Sequence, residues 1–159
     1  MNTFWNNPLN IVLLEPEIPG NTGTIGRLCV GCKASLTLIE PLGFSLDDKY
    51  LRRAGLDYWP KLKLNVLPDW EHFISQIPAA SRLFYCSTKA KQLYTEPNYQ
   101  HGDFLVFGKE TKGLPEPLIF NNSDRAVKIP MTPDIRSMNL AIAVGIITYE
   151  AIRHLGLEL

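Results

Sequence analysis

Three short segments of this 159-residue chain hold the residue types that could do chemistry. The first, Pro19-Gly20-Asn21-Thr22-Gly23-Thr24-Ile25-Gly26-Arg27, follows an apolar run and opens a helical pattern. That is the setting of a dinucleotide-binding glycine loop, and Glu40 stands about twenty residues on, where a ribose-binding acid would be expected. The glycines, however, give G-x-x-G-x-x-G, not G-x-G-x-x-G, and no Gly-Lys-Ser/Thr closes a phosphate-binding loop. Arg27 sits two turns into the helix and would project a fixed positive fork. In the second segment, Phe107-Gly108-Lys109-Glu110-Thr111-Lys112-Gly113-Leu114-Pro115, two glycines permit close backbone approach to a ligand and Glu110 places a carboxylate among them. A tight strand-to-helix turn with a solvated acid explains the same residues. The third segment is Ile129-Pro130-Met131 followed by Arg136-Ser137-Met138-Asn139-Leu140. Helix capping accounts for Ser137 or Asn139, but leaves the other, Arg136 and the Ile-Pro-Met without a role.

The elements that must position these loops alternate along the chain. Apolar runs at Ile11–Leu14, Leu36–Ile39, Leu83–Cys86 and Phe104–Phe107, and a further one around Ala126–Ile129, read as strands. Leu62, Leu64 and Val66 alternate as a half-buried strand does. Helical spacing follows Asn21, a good N-cap by residue type, through Ile25, Leu28, Cys29 and Cys32. Asp69 caps a second helix with Trp70, Phe73, Ile74 and Ile77 on its apolar face. A long helix runs from about Asn139, with Leu140, Val144, Ile147, Ala151 and Leu155 on one stripe. This order predicts an α/β fold, a parallel sheet flanked by helices, in a single domain over residues 1–159. Ligands of such sheets lie beyond the carboxyl ends of the strands, where the three segments emerge. Ile142, Ile146 and Ile152 are more apolar surface than one stripe needs, which predicts burial against a second copy.

Sixteen basic and sixteen acidic residues cancel, so nucleic-acid contact has to come from local clusters such as Lys49, Arg52, Arg53, Lys61 and Lys63. No apolar run approaches the length of a membrane span, and no basic segment followed by an apolar one marks a secretory signal, so a cytoplasmic protein is expected. Three cysteines suit a reducing compartment. Cys29 and Cys32 lie too deep in their helix for a redox pair and read as core packing. His72, His101 and His154 are isolated, and no spacing suggests a metal site.

Taken together, segments 19–27, 107–115 and 129–140 closely resemble the three motifs of the SpoU class of SPOUT methyltransferases, in the same order and with the closing Tyr149-Glu150-Ala151. Within the class, the short chain resembles the TrmL (YibK-like) tRNA methyltransferases. The resemblance implies a C-terminal trefoil knot that forms the cofactor pocket, S-adenosylmethionine as cofactor, and a homodimer with the active site near its interface. It also implies methylation of the ribose 2′-hydroxyl of the wobble nucleotide, cytidine or a modified uridine, of leucine tRNAs. Carried over residue by residue, the catalytic polar group is Asn21, Arg27, Glu110, Ser137 and Asn139. The cofactor lies against Cys86, Ser87, Thr88, Phe107, Gly108, Glu110, Ile129, Pro130, Met131, Ser137 and Met138, where Met138 replaces a common Leu of similar size.

Methyl transfer to an alcohol needs in-line approach and removal of one proton, but neither metal nor covalent nucleophile. A guanidinium is a poor base, so Arg27 is expected to hold a substrate phosphate and the developing alkoxide while a phosphate oxygen or water accepts the proton. Glu110 either orients Arg27 or holds its loop. Two rivals remain: a nicotinamide-dependent oxidoreductase leaves the second and third segments idle, and a silent RNA-binding module has no use for the polar set.

Overall fold

A computed structural model describes residues 3–47, 49, 51, 53, 57–156 and 159. Its elements are β1 (Leu9–Leu14), α1 (Pro19–Gly31), β2 (Ser35–Ile39), β3 (Leu64–Leu67), α2 (Trp70–Gln76), β4 (Leu83–Cys86), β5 (Gln92–Leu93), β6 (Asp103–Phe107), α3 (Glu116–Phe120), β7 (Ala126–Lys128) and α4 (Leu140–Leu155). The seven strands form one sheet in the order β3-β2-β1-β6-β4-β7-β5, and every pairing is parallel. Strands β1, β2 and β6 are buried at every residue, as a parallel sheet covered on both faces requires.

Side chains alternate across this sheet and so feed two cores. Ile11, Leu13, Leu36, Leu38 and Leu105 pack with Ile25 and Cys29 of α1 and Val144, Ile147 and Ala151 of α4. Val12, Leu14, Phe104 and Val106 pack on the opposite face with Trp5, Phe73 and Ile119. Cys29 and Cys32 are free, buried thiols of the first core. Ile152 belongs to that core as well, so it is not part of any surplus on α4.

Several expected boundaries shift. Helix α1 begins at Pro19, with Ile18 as N-cap and no side-chain cap, so Asn21 lies inside the first turn and does not cap it. Proline suits the first helical position because its missing N–H would have no partner there. Asp69 does cap α2, accepting from the His72 N–H at 2.8 Å, but Ile74 is exposed and Ile77 falls just beyond the helix. Leu62 precedes β3, and Ile129 follows β7. Helix α4 runs from the Asn139 cap to Gly156, whose φ of 61° is the left-handed conformation that terminates helices. Among the described residues, no helix is long and apolar enough to cross a membrane.

The order of the last strands creates a crossing. Val127 pairs with Cys86 on one side and with Gln92 on the other. Residues 87–91 therefore step across β7 from β4 to β5, and the Ser87 N–H donates to the Val127 carbonyl at 2.9 Å.

At the opposite, amino end of the sheet, buried Asn10 is a hub. Its oxygen accepts from Asn7 at 3.0 Å and Ser35 at 2.7 Å, and its amide donates to the Gly102 carbonyl at 3.3 Å. Asn7 in turn accepts from Lys63 at 2.8 Å, which turns this lysine of the basic cluster toward the fold. Arg52 of that cluster lies outside the described residues. Asn10→Ala leaves buried partners unsatisfied and is expected to cost about 2–3 kcal/mol. Urea denaturation checks this, and cofactor affinity of the folded variant should be unchanged because the hub is remote from the carboxyl ends of the strands.

Candidate active site

The loops at the carboxyl ends of β4, β6 and β7 converge with the start of α4 on a cavity of about 480 Å³, within the range of small-molecule sites. Of the residues expected to hold a cofactor, Cys86, Ser87, Thr88, Phe107, Gly108, Glu110, Ile129, Met131, Ser137 and Met138 line it. Pro130 is exposed and is not among the lining residues, as alternation along an extended segment brings Ile129 and Met131 inward and turns the residue between them out. Burial pushes the Cys86 thiol far above its ordinary range, which disfavours the thiolate that nucleophilic chemistry would need.

Glu110 has a definite task. Its two carboxylate oxygens accept from the backbone N–H groups of Glu17 at 2.9 Å and Ile18 at 2.5 Å. These donors lie at the amino end of α1, which has no side-chain cap of its own and favours negative charge. Two neighbouring contacts reinforce the tie: Lys109 Nζ meets Glu15 Oε2 at 2.7 Å, and Thr111 donates to Glu17 Oε1 at 2.7 Å. Glu15 takes a φ of 56°, so the chain turns sharply as it leaves β1 to make these contacts. Of the two roles open to Glu110 from its residue type, the geometry therefore matches holding the loop.

Gly108 is required by the loop itself. A β-carbon there would stand 2.0 Å from the Gly113 carbonyl carbon and 2.2 Å from the Leu114 nitrogen. The Gly113 N–H donates to the Lys109 carbonyl at 2.8 Å, closing the turn. Asn139 caps α4 through its side-chain oxygen, accepting from Ala141 at 2.8 Å and Ile142 at 3.3 Å. Its amide is thereby turned to Asn21 Oδ1, to which it donates at 3.1 Å. Capping thus accounts for Asn139 and leaves Ser137 exposed at the rim. Asn21, Glu110, Ser137 and Asn139 all line the cavity, whereas Arg27 does not.

The SpoU rRNA Methylase family model matches residues 8–149. The chain belongs to that family. A tRNA (cytidine(34)-2′-O)-methyltransferase of Saccharophagus degradans is 51% identical over 148 residues, covering 92% of this chain and 96% of its own. A solved structure described as giving insights into the 2-OH methylation of C/U34 on tRNA superposes with a TM-score of 0.88 at 41% identity, covering 92% of this chain and 95% of that one. An AdoMet-bound rRNA methyltransferase of Sinorhizobium meliloti gives a TM-score of 0.82 at 27% identity, covering 92% of this chain and 56% of that one.

Within this SpoU family member the glycine segment is no dinucleotide loop. Residues 20–27 are helical, and Gly26 is pressed against Trp59, whose ring would be 3.0 Å from a β-carbon. Gly26 of the pattern therefore serves packing of α1, whereas Gly20 faces open space. Sequence reading missed Leu114, Val127, Leu140, Ala143 and Ile147 as parts of the cavity wall. Their signal was present but ambiguous, because Leu140 and Ile147 share the stripe that reads as core. The histidines stand elsewhere: His72 pairs with Asp69 at 2.8 Å and His154 with Glu150 at 3.2 Å.

Replacing Glu110 tests the clamp. Glu110→Gln loses the charge and sets an amide against one backbone N–H, which should destabilise the protein by about 1–3 kcal/mol and weaken binding of S-adenosylhomocysteine roughly tenfold by loosening the 108–114 loop. Chemical denaturation and calorimetry read the two effects.

Proposed function

We propose that this chain transfers a methyl group from S-adenosylmethionine to the ribose 2′-hydroxyl of nucleotide 34 of a tRNA, cytidine or a modified uridine of leucine tRNAs, as a cytoplasmic homodimer. The observation that carries this reading is the convergence of three loops on one cavity with Asn21, Ser137 and Asn139 at its rim. The cavity suits the cofactor chemically. Phe107, Leu114, Val127, Ile129, Leu140 and Ile147 offer apolar surface for a purine, and Ser87, Thr88 and Ser137 offer hydroxyls for its polar groups. When bound, S-adenosylmethionine supplies an electrophilic methyl group.

All other tasks belong to the chain and the RNA. Asn21, held by Asn139, and Ser137 orient the acceptor ribose. Arg27 binds the substrate phosphate and stabilises the developing alkoxide, while a phosphate oxygen or water takes the proton. Glu110 contributes by fixing Glu17 and Ile18, which set the start of α1 and thereby Asn21. The trefoil knot of the SPOUT fold is supported by residues 87–91 stepping across β7 from β4 to β5, the kind of crossing through which a later segment can be threaded. Single-turnover methyl transfer to tRNA, with mapping of the labelled nucleotide, tests the activity. Label at the 2′-oxygen of position 34 is expected, and label elsewhere or none contradicts the assignment.

The dimer is supported by surface chemistry. Helices α1 and α4 pack together. Ile142 is 57% and Tyr149 47% exposed on an outward stripe of α4 that includes Gly145 and Ile146, and Ile18 is 48% exposed at the start of α1. Arg27 is exposed beside Thr24 on α1 and lies outside the cavity of its own chain, which supports its serving the cavity of the partner. Sedimentation should give a dimer at micromolar concentration. Mixing Arg27→Ala subunits with Thr88→Trp subunits, whose cavity mouth is filled, once exchange is confirmed, should restore methylation, because one heterodimer site then carries both defects and the other neither. A monomer, or exchange without recovered activity, contradicts these two assignments in turn.

A further inference from the structure

The guanidinium carbon of Arg27 stands 5.5 Å from the centre of the Tyr58 ring, within cation–π range. A short turn next to Tyr58 in the chain brings the ring there. Its residues Trp59–Lys61 form one 3-10 turn, closed by the Lys61 N–H on the Tyr58 carbonyl at 2.8 Å and the Leu62 N–H on Trp59 at 3.1 Å. The turn docks on the backbone of α1 at Gly26, where a β-carbon would meet the Trp59 ring at 3.0 Å and Leu62 at 3.2 Å. Gly26 and Arg27 are adjacent, so the contact that seats the turn also fixes the ring beside the guanidinium. The Tyr58 hydroxyl is buried and makes no hydrogen bond. Burial raises this phenol above its ordinary range, against the opposing pull of Arg27. The hydroxyl therefore holds nothing in place, and the ring face makes the contact with Arg27.

We propose that Tyr58 is a positioning residue that aims Arg27 at the substrate RNA by stacking on its guanidinium. This rests on the RNA-binding role proposed for Arg27. A carboxylate could also hold an arginine, but it would occupy the fork and cancel its charge. An aromatic face leaves the in-plane N–H groups free for two-pronged contact with a phosphate and the reacting oxygen. Among the described residues Arg27 makes no ion pair, which fits a cation kept for a ligand that arrives from outside.

Single-turnover methyl transfer to tRNA at saturating S-adenosylmethionine tests this with Tyr58→Phe, Tyr58→Leu, Arg27→Ala and the double variant Arg27→Ala/Tyr58→Leu. Tyr58→Phe keeps the ring and should stay within about twofold of the parent. Tyr58→Leu should lose about tenfold in rate or more, with unchanged affinity for S-adenosylhomocysteine. In the Arg27→Ala background the Leu substitution should cost nothing further, since a residue acting through another has no effect once that other is gone. Where rates fall beneath detection, the dissociation constant for tRNA gives the same four-way comparison. If Tyr58→Leu does not fold, Tyr58→Met takes its place. The proposal is overturned if the ring substitution has no effect, if Phe is as defective as Leu, or if the loss is equal in the Arg27→Ala background, the pattern of a ring that stacks directly on RNA or merely supports the fold. Parental activity of Arg27→Ala would overturn the Arg27 role itself and this proposal with it.

Discussion

The bond pair between the Glu110 carboxylate and the N–H groups of Glu17 and Ile18 is the constraint on which the site depends. It joins segments 92 and 93 residues apart in sequence that the sheet sets side by side, because β1 and β6 are neighbours in register. A helix start without its own side-chain cap leaves N–H groups needing an acceptor, and a carboxylate at that positive end is favoured on both counts. The loop carrying Glu110 gains as much. Its turn is closed by a glycine contact that tolerates no β-carbon, and Lys109 and Thr111 are tied to Glu15 and Glu17 of the segment between β1 and α1. The wall of the cavity and the start of α1 are thus one assembly, and Asn21 takes its place against Asn139 as a consequence.

The two ionic groups singled out by their residue types are handled in opposite ways. Glu110 is consumed by structure, with both oxygens committed to backbone donors. Arg27 lies against an aromatic face outside the cavity of its own chain. A charge committed to backbone donors stiffens a site. One kept beside a ring remains able to meet a ligand. The division places rigidity on the side of the cavity loops and leaves a cation at the surface, as the proposed contact with RNA requires.

Much of this organisation was legible in the residues. The long buried strands announced themselves as apolar runs, and the alternation within β1 and β6 split them between the two cores as period-two patterning requires. Two elements were not readable: β5 has two residues and α3 five, too few for any period to emerge. The start of α1 was misplaced because Asn21 is a good local cap and the true acceptor lies on another loop, which no local rule can find. The site residues came from the likeness of three motifs to a family. Periodicity contributed only that these segments follow strands. Residue type alone could not separate the possible roles of Glu110, nor reveal that Gly26 serves to admit Trp59.

Hydrogen exchange at single-amide resolution, with and without S-adenosylhomocysteine, measures most directly whether cofactor loop and helix start behave as one unit. Ligand binding should slow exchange at the Glu17 and Ile18 amides together with those of residues 108–113, and the linked protection at 17 and 18 should vanish in Glu110→Gln. Protection confined to residues 108–113 in the parent protein, with Glu17 and Ile18 unchanged, would contradict the coupling.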